Sequence, residues 1–473
     1  MHFEDHLSAP RGLGALRDWP HSGAAGGAAC GDLIRVAVRL DGDRIAEAGF
    51  DAEGCGAARA AGSAAVELVE RQPLIGAASV GPDEISQALG GLIPAKRHAA
   101  ELAADALHRA LGAAAPQAHL SPNPRRTLVA MSGGVDSAAA AQLALDAGDE
   151  VLAVTLELWA DPATDGERSC CSPQAVTGAR ALAHRMGIPH LTLDLRERFR
   201  AEVVNPFIAG YAAGITPNPC VRCNGFVRFD AMLELAEALG AGRLATGHYA
   251  RIARDERGPL IRAGADPRKD QSYMLAKLDP AQLDRLSFPL GGLTKDAVRA
   301  LARDAGLPVA DKRESQDLCF VAGLGGRAFL QRHGGPSLRR PGEIVDASGA
   351  VLGGHDGQHG FTIGQRRGLQ LDGAREPLYV LAKDADTNRV TVGPREALAT
   401  TTVRLSQATL HRPPGEVRQV RLRYHARPLS CEARRIDDAT IELRLAEPAE
   451  AVAPGQQACL MREDCVVGEG TIA

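Results

Sequence analysis

A glycine-rich loop is the first feature of this sequence whose residue types could do chemistry. Residues 132–137 read SGGVDS, follow a short apolar stretch and precede an alanine-rich helical stretch over residues 138–147. Backbone N–H groups and the helix dipole at such a junction favour an anion, and glycines let a phosphate approach the backbone. The loop lacks the Gly-Lys-Ser/Thr ending of kinase and GTPase loops. It therefore predicts a phosphate site of another kind.

Three separated cysteines are the second such feature. Cys220 and Cys223 lie in the proline-stiffened stretch TPNPCVRCN, and Cys319 lies in the later stretch SQDLCF. One thiol can carry a persulfide that attacks an activated carbon, while a second frees the product by forming a disulfide with the first. The same spacing also suits three thiolate ligands of an iron–sulfur cluster. The spacing alone leaves both readings open.

The loop has a recognisable counterpart. With Ser132, Asp136 and Ser137 it resembles the pyrophosphate-binding loop of ATP pyrophosphatases, which cut ATP between the α and β phosphates and transfer AMP. Transfer of AMP to an oxygen suits a poor leaving group such as a uracil carbonyl oxygen. Amide-forming ligases such as the NAD, GMP and argininosuccinate synthetases carry the same loop and are the enzyme alternative. Those ligases have no use for Cys223 and Cys319.

Several further motifs occur in one order along the chain. The stretches TPNPCVRCN (216–224), ATGHY (245–249), KDQSY (269–273), SQDLCF (315–320) and FTIGQRRG (361–368) resemble the bacterial tRNA-specific 2-thiouridylases, from about residue 125 onward. The resemblance implies ATP- and Mg²⁺-dependent 2-thiolation of the wobble uridine of tRNA, with sulfur from a cysteine desulfurase or a sulfur-relay donor.

That resemblance also implies site residues. Cys319 would carry the persulfide, and Cys223 would be its nucleophilic partner. The residues implied to hold ATP are Ala130, Met131, Ser132, Gly133, Gly134, Val135, Asp136, Ser137, Leu156 and Gly247. Those implied to contact tRNA are Asn218, Pro219, Cys220, His248, Lys269, Asp270, Gln271, Arg423, Tyr424 and Gln456.

One position departs from the family pattern. Many members have an aspartate, thought to act as acid or base, where this chain has Cys220. The departure puts an aspartate-assisted mechanism in doubt and makes Cys220, Cys223 and Cys319 candidate ligands of a [4Fe–4S] cluster. We favour the persulfide relay and keep the cluster as the alternative.

The front of the chain resembles another family. The stretches CGD at 30–32, GCG at 54–56 and KRH at 96–98, followed by a helix over residues 101–111, resemble iron–sulfur scaffold proteins of the NifU/IscU type. Ala99 replaces the scaffold's third cysteine, and the chaperone-docking stretch LPPVK appears as LIPAK, so de novo cluster assembly is not expected. Cys30, Asp32, Cys55 and His98 remain as a candidate zinc or iron site. A non-catalytic iron–sulfur carrier with a regulatory nucleotide loop is therefore a further alternative.

Apolar and helical stretches must position these residues. Apolar strands at 128–131, 151–158, 190–195 and 244–246 alternate with amphipathic segments such as 175–186, which predicts a parallel α/β sheet. We expect a multidomain α/β protein whose sheet domain is of the adenine-nucleotide alpha-hydrolase (ATP pyrophosphatase) class. The predicted parts are a leader (1–24), an α+β scaffold domain (25–112), a linker (113–124), the catalytic domain (125–331), a central β domain (332–398) and a tRNA-binding β-barrel (399–473).

Composition narrows the class of partner. The net charge of -4 argues against a uniformly basic protein, and DNA is not an expected partner, but local charge steers a polyanion. Residues 401–435 contain the arginines Arg404, Arg412, Arg418, Arg421, Arg423, Arg427, Arg434 and Arg435 against only Glu416 and Glu432. The sequence lacks a long apolar run, begins with acidic residues and has ten cysteines, several of them in close pairs. These features predict a cytoplasmic protein with reduced thiols and no membrane partner.

Overall fold

The first part of the chain is a small α+β unit. The computed structural model describes residues 2–15, 19–27, 31–161, 172–312, 318–335, 338–369, 371 and 376–473. The elements of the first unit are α1 (Phe3–Ser8), β1 (His21–Gly26), β2 (Leu33–Asp41), β3 (Arg44–Glu53), α2 (Gly56–Val69), α3 (Leu74–Ala77), α4 (Pro82–Ala88) and α5 (Arg97–Ala114). The three strands form an antiparallel sheet in the order β1-β2-β3, and α2 and α5 pack on it.

The predicted leader is wrong for its described residues. Helix α1 packs on α2, where the buried His6 lies with Nδ1 2.9 Å from Ser63 Oγ. Strand β1 pairs with β2 along its whole length. A Cβ at Gly23 would lie 2.3 Å from Arg109 Cβ and 2.4 Å from the carbonyl oxygen of Ala106. The small residues of this segment therefore permit close packing rather than flexibility.

The predicted linker at 113–124 does connect the two units, but much of it is packed against them. Helix α5 continues to Ala114, and Ala115 and Ala118 are fully buried. The backbone N–H of Leu120 then donates to the carbonyl oxygen of Ala238 at 2.8 Å, and the next strand begins at Asn123. The segment is a packed connection between the two units.

The central part is an α/β unit with a five-stranded parallel sheet. Its elements are β4 (Asn123–Ala130), α6 (Val135–Asp146), β5 (Glu150–Glu157), α7 (Pro173–Arg185), β6 (His190–Asp194), α8 (Arg196–Phe199), α9 (Asn205–Ala212), α10 (Pro219–Cys223), α11 (Phe229–Ala238), β7 (Ala241–Thr246), β8 (Ala250–Asp255), β9 (Gly258–Ala263), α12 (Pro280–Leu283), β10 (Leu286–Ser287) and α13 (Lys295–Asp304). The strand order is β10-β7-β4-β5-β6. The predicted parallel sheet is confirmed, and the loops after β4 and β7, which are neighbours, meet at one edge.

The first unit docks on the outer strand of this sheet. Helix α5 packs against β6, where a Cβ at Gly112 would lie only 1.7 Å from the carbonyl oxygen of Thr192. The ring nitrogens of His108 on α5 lie 2.8 Å from the carbonyl oxygen of His190 and 2.9 Å from that of Val80. Arg180 is ion-paired with Asp105 across the same interface at 3.0 Å. Docking therefore covers an edge strand that would otherwise present unpaired backbone groups.

The last part is made of β-strands after one short helix. Its elements are α14 (Gly326–His333), β11 (Gly342–Val345), β12 (Val351–His355), β13 (Tyr379–Asp384), β14 (Arg389–Gly393), β15 (Ala399–Leu410), β16 (Gln419–Arg421), β17 (Leu429–Arg435), β18 (Ile441–Glu450), β19 (Gln457–Arg462) and β20 (Cys465–Ile472). Strands β11 to β14 form a small sheet in the order β12-β11-β14-β13. Strands β15 to β20 form a closed barrel because β15 pairs with both β18 and β20, which confirms the predicted barrel. Among the described helices, none is both long and apolar enough to cross a bilayer.

Candidate functional site

The phosphate loop lies between β4 and α6. The backbone N–H of Met131 donates to the carbonyl oxygen of Val154 at 2.8 Å, and Gly133 has φ +70°, a conformation that favours glycine. Ser137 Oγ donates to the carbonyl oxygen of Gly134 at 3.0 Å and accepts from the N–H of Ser132 at 3.1 Å. The loop thus wraps the N-terminus of a twelve-residue helix, α6, as an anion site requires.

Gly247 comes to this loop from the neighbouring strand β7. A Cβ at Gly247 would lie 2.8 Å from the backbone N of Ser137 and 2.8 Å from the carbonyl carbon of Asp136. Leu156, at the end of β5 and 9% exposed, lies on the other neighbour of β4. The residues predicted to hold ATP therefore come from three adjacent strand ends, and Gly247 lies in close contact with the backbone of the loop.

Two lysines that the sequence motifs did not identify contact the loop. Lys295, the first residue of α13, donates from Nζ to both carboxylate oxygens of Asp136 at 2.7 and 2.8 Å. Tyr249 Oη donates to the same carboxylate at 2.7 Å. Lys312 Nζ donates to the carbonyl oxygen of Gly133 at 3.0 Å. Both lysines are distant in the sequence, so only the fold could bring them here.

The paired cysteines begin a helix. Asn218 is the N-cap of α10, and its Oδ1 accepts from the N–H of Val221 at 3.3 Å. Cys220 is half-buried and Cys223 is buried. Residues 224–228 continue the helix as one π-helical turn into α11, and such turns are frequent at functional sites. The cap and the proline at 219 hold the two thiols one helical turn apart.

The barrel supports this cysteine segment from the other side. Gln456 Nε2 donates to the carbonyl oxygen of Thr216 at 2.7 Å. The N–H of Thr216 donates to the carbonyl oxygen of Pro454 at 2.8 Å. Gly455 has φ +88°, and a Cβ there would lie 3.0 Å from the N of Thr216. Gln456, predicted to contact tRNA, thus also positions the stretch that leads into the cysteines.

Cys319 is anchored by an aromatic neighbour. It is half-buried, and the ring of the next residue, Phe320, is 2% exposed. Phe320 packs edge-on against Phe329 and Phe207, with ring centroids 5.0 and 5.2 Å apart. The preceding motif residues 315–317 lie outside the described residues.

The three thiols do not form a single-ion site in the described part of the chain. The group of His, Cys, Asp and Glu ligand atoms found there within 4.8 Å of one another is a different one. A cubane iron–sulfur cluster holds its thiolates farther apart than a single ion does. The lack of a single-ion grouping of these thiols among the described residues is therefore no argument against either the relay or the cluster.

The segment after β9 contains predicted tRNA contacts that are partly internal. Asp270 is buried, and its carboxylate accepts from Arg421 Nη1 of the barrel at 2.5 Å and from the N–H groups of Gly264 and Ser272 at 3.0 Å. Burial alone would raise the pKa of Asp270, but these hydrogen bonds hold that pKa below its usual value. Its flanking residues Lys269 and Gln271 are half-buried, and Gln271 Oε1 accepts from the N–H of Tyr249 at 2.9 Å.

His248 lies between the phosphate loop and this segment. Its Nδ1 is 2.8 Å from Thr246 Oγ1, and its ring packs near Phe229 and Phe288, with centroids 5.7 and 6.1 Å away. Burial, followed by the positive charge of Arg228, lowers the pKa of His248 to about 4. His248 is therefore neutral at physiological pH.

The arginine-rich barrel segment is more internally paired than its sequence indicates. The buried Arg412 pairs with Asp255, and the half-buried Arg421 pairs with the buried Asp270. Arg427 and Arg434 pair with Glu447 and Glu442 at the surface. Arg423 is exposed, and its Nη2 donates to the carbonyl oxygen of Ala451. Tyr424 stacks beside His425, with centroids 3.8 Å apart. The exposed arginines of this segment that a polyanion could reach include Arg423 as well as Arg404, Arg418 and Arg435, and Tyr424 beside Arg423 is half-buried.

A separate candidate metal site lies in the first unit. Asp32 Oδ2 is 3.2 Å from Cys55 Sγ and 3.0 Å from His98 Nε2, and all three ligand atoms lie within 4.8 Å of one another. The backbone N–H of Cys55, with smaller contributions from its thiol and His98, lowers the pKa of Asp32. Gly54 has φ +116°, and its lack of a side chain leaves room for Asp32 beside this turn. Cys30 lies outside the described residues. One carboxylate, one thiol and one imidazole suit Zn²⁺ or iron.

Consecutive parts of the chain match four known protein families. Residues 2–117 match the NifU-like N terminal domain, 125–323 the tRNA methyl transferase HUP domain, 327–394 the tRNA methyl transferase PRC-barrel domain and 396–472 the Aminomethyltransferase beta-barrel domain.

Curated relatives match either nearly the whole chain or about three quarters of it. The chain is 44% identical to the bifunctional protein NifU/MnmA of Rubrobacter xylanophilus over 99% of this chain and 97% of that protein. It is 46% identical to the tRNA-specific 2-thiouridylases MnmA of Acidithiobacillus ferrooxidans and Thermobifida fusca, over 74% of this chain and 98% and 95% of those proteins.

Proposed function

The chain belongs to the tRNA-specific 2-thiouridylase family, in the form that carries a NifU-like domain at its front, and on that premise we propose its reaction. With ATP, it adenylates the 2-carbonyl oxygen of a tRNA uridine, which we assign to the wobble position. It then replaces that oxygen with sulfur. The proposal assigns the protein to the cytoplasm, where its substrates are made.

The segment 247–249 is the observation that carries this proposal. Gly247 lies against the phosphate loop, and Tyr249 donates from Oη to Asp136 of that loop. The backbone N–H of the same Tyr249 donates to Gln271, within the stretch predicted to contact tRNA. One short segment thus connects the nucleotide site to the tRNA stretch, as direct transfer of AMP to tRNA requires.

The first step forms a bond between the uridine oxygen and the α-phosphorus and breaks the bond from that phosphorus to pyrophosphate. Loop N–H groups and the dipole of α6 would stabilise the phosphate charge. Mg²⁺, when bound, supplies further positive charge, and Asp136 is the residue that would hold it. The neutral His248 beside the loop has no charge to repel the metal or to attract a phosphate.

The second step uses the two thiols. The terminal sulfur of a persulfide on Cys319 attacks the uridine carbon, and AMP leaves with the former carbonyl oxygen. The thiolate of Cys223 then attacks Cys319 Sγ, which forms a disulfide and leaves the transferred sulfur on the base. A dithiol reductant must reduce that disulfide, and a cysteine desulfurase or sulfur-relay donor must restore the persulfide. Support comes from the rigid seating of Cys223 on a capped helix and of Cys319 beside Phe320.

The front unit would hold a metal ion at Asp32, Cys55 and His98, with Zn²⁺ and iron as the candidates. Its ready group of ligand atoms supports this assignment. We assign Cys30 as a further ligand from the sequence alone. The buried Ala99 stands where a scaffold would have another thiol, which argues for a bound ion rather than for assembly of new clusters.

A tRNA-dependent pyrophosphate assay tests the function. Purified protein with Mg²⁺ and ATP should release pyrophosphate only when unmodified tRNA is present, whereas an amide-forming ligase would respond to another acceptor and a carrier to none. Asp136→Asn should reduce release at least about a hundredfold, because it removes the loop's carboxylate charge. Asp146→Asn, at the exposed end of the same helix, is the matched control and should match wild type. Release that is indifferent to tRNA would contradict the proposal.

A further inference from the structure

Lys295 and Lys312 approach the phosphate loop from elements that carry none of the predicted nucleotide residues. The backbone N of Lys295 donates to the buried Asp266 at 3.2 Å, which fixes the start of α13. Its side chain is 7% exposed and reaches across to Asp136. Lys312 reaches the loop from beyond the end of α13 and contacts Gly133. The ammonium group of Lys295 therefore contacts the loop at the carboxylate of Asp136, and that of Lys312 contacts it at Gly133, the loop glycine with a left-handed conformation.

The charges of this cluster favour an anion. Asp136 is the carboxylate that contacts Lys295, whereas the hydrogen bond of Lys312 is to a neutral carbonyl. Asp266, at the backbone of Lys295, is ion-paired with Arg268, so the two lysines and Asp136 leave an excess positive charge at the N-terminus of α6, where the helix dipole is also positive. This excess positive charge favours the binding of a polyphosphate.

Structural stability alone is a weaker account of the Lys295 contact. A buried ion pair often contributes little to stability because desolvation offsets the attraction. Lys295 also lies 5.8 Å from the ring of Tyr249, which itself donates to Asp136, so an ammonium and a phenol hydroxyl converge on one carboxylate. When a metal ion takes over this carboxylate, the 7% exposed side chain of Lys295 loses its ion pair, and a second anion would offset that loss.

We propose that Lys295 and Lys312 bind the β and γ phosphates of ATP, and that Lys295 exchanges Asp136 for a phosphate oxygen when the magnesium nucleotide enters. Asp136 is thereby released to the metal, and positive charge follows the phosphates that depart as pyrophosphate. This inference rests on the proposed function, because it concerns the same nucleotide site. It adds two residues that no motif in the sequence marks.

Direct binding measurements on the full-length protein test the inference without turnover. Isothermal titration should show that Lys295→Met and Lys312→Met each weaken binding of Mg²⁺-ATP and of inorganic pyrophosphate at least about tenfold. The affinity for AMP, which lacks the departing phosphates, should change less than about twofold. Lys295→Arg should retain more affinity for pyrophosphate than Lys295→Met. Arg303→Met, which removes an exposed cation from the same helix, is the control and should match wild type.

Two results would overturn the inference. One is wild-type affinity for pyrophosphate and ATP in both methionine variants. The other is an equal loss of AMP, ATP and pyrophosphate binding, because the lysines would then only maintain the shape of the loop. Neither result would contradict the proposed function, because that function is tested separately by tRNA-dependent pyrophosphate release from the wild-type protein.

Discussion

At the scale of residues, the phosphate-binding character of the loop was predictable from the sequence, but the distant residues that contact the loop were not. The loop at 132–137 carries its own glycines, hydroxyls and helix start, so its sequence alone predicts a phosphate site. Lys295 and Lys312 lie 159 and 179 residues from the loop atoms that they contact. No local pattern marks them, because their position depends on how α13 packs on α6. The ion pairs of Arg412 and Arg421 could not be predicted from the sequence for the same reason.

Cys220 is the residue at which two mechanisms can be told apart. With a persulfide relay, Cys220→Asp should keep most thiolation activity, since Cys223 and Cys319 suffice for the transfer. With a [4Fe–4S] cluster, the carboxylate is a harder ligand that iron–sulfur clusters accept poorly. We expect the anaerobically reconstituted variant to thiolate tRNA, with Cys223→Ser as the inactive comparison. Joint loss of the iron absorption band and of product in Cys220→Asp would favour the cluster.

At the scale of elements, small residues misled the sequence interpretation. The stretches predicted as leader and linker are rich in glycine and alanine, a composition typical of flexible chain. In the fold, such small residues let backbones meet, as Gly23 of the predicted leader meets α5 and Gly112, just before the predicted linker, meets β6. Composition reports the size of side chains but not whether another element lies against them. The strands of the parallel sheet were easier to predict, because each is a continuous apolar run.

Gly112 gives this packing a direct test. An alanine there would place its Cβ 1.7 Å from a backbone oxygen of β6, which cannot rotate away. Gly112→Ala should therefore destabilise the docking of the first unit by about 1–3 kcal/mol and open the connection over residues 115–123 to limited proteolysis. Ala113→Ser, at the exposed neighbouring position, should remain resistant. Equal resistance of both variants would show that α5 tolerates the added methyl group.

At the scale of the whole molecule, the barrel and the catalytic unit form one continuous support for the cysteine segment. Strand β20 pairs with β9 of the catalytic unit, and Tyr273 Oη donates to the carbonyl oxygen of Gln457 at 2.7 Å. Gln456 and Arg421 add contacts to Thr216 and Asp270. Several residues implied to contact tRNA are thus also the residues that join the two units. A tRNA bound to the barrel would lie beside the thiols as a consequence.

Arg423 tests whether the barrel holds tRNA by its phosphates. Arg423→Ala should weaken tRNA binding and reduce the slope of log K against log salt concentration by about one phosphate contact. Arg434→Ala removes a surface arginine that is paired with Glu442 and should leave both quantities unchanged. Filter binding over a range of salt concentrations measures both. An unchanged affinity and slope in Arg423→Ala would remove this residue from the interface.

The coupling of pyrophosphate release to sulfur transfer tests the central claim most directly. In a single turnover with unmodified tRNA, Mg²⁺-ATP, a cysteine desulfurase and cysteine, wild-type protein should release pyrophosphate and form 2-thiouridine. Cys319→Ser should still release pyrophosphate in a tRNA-dependent burst but form no 2-thiouridine, because adenylation precedes the thiol step. Formation of 2-thiouridine by Cys319→Ser, or pyrophosphate release by wild type without tRNA, would contradict the account.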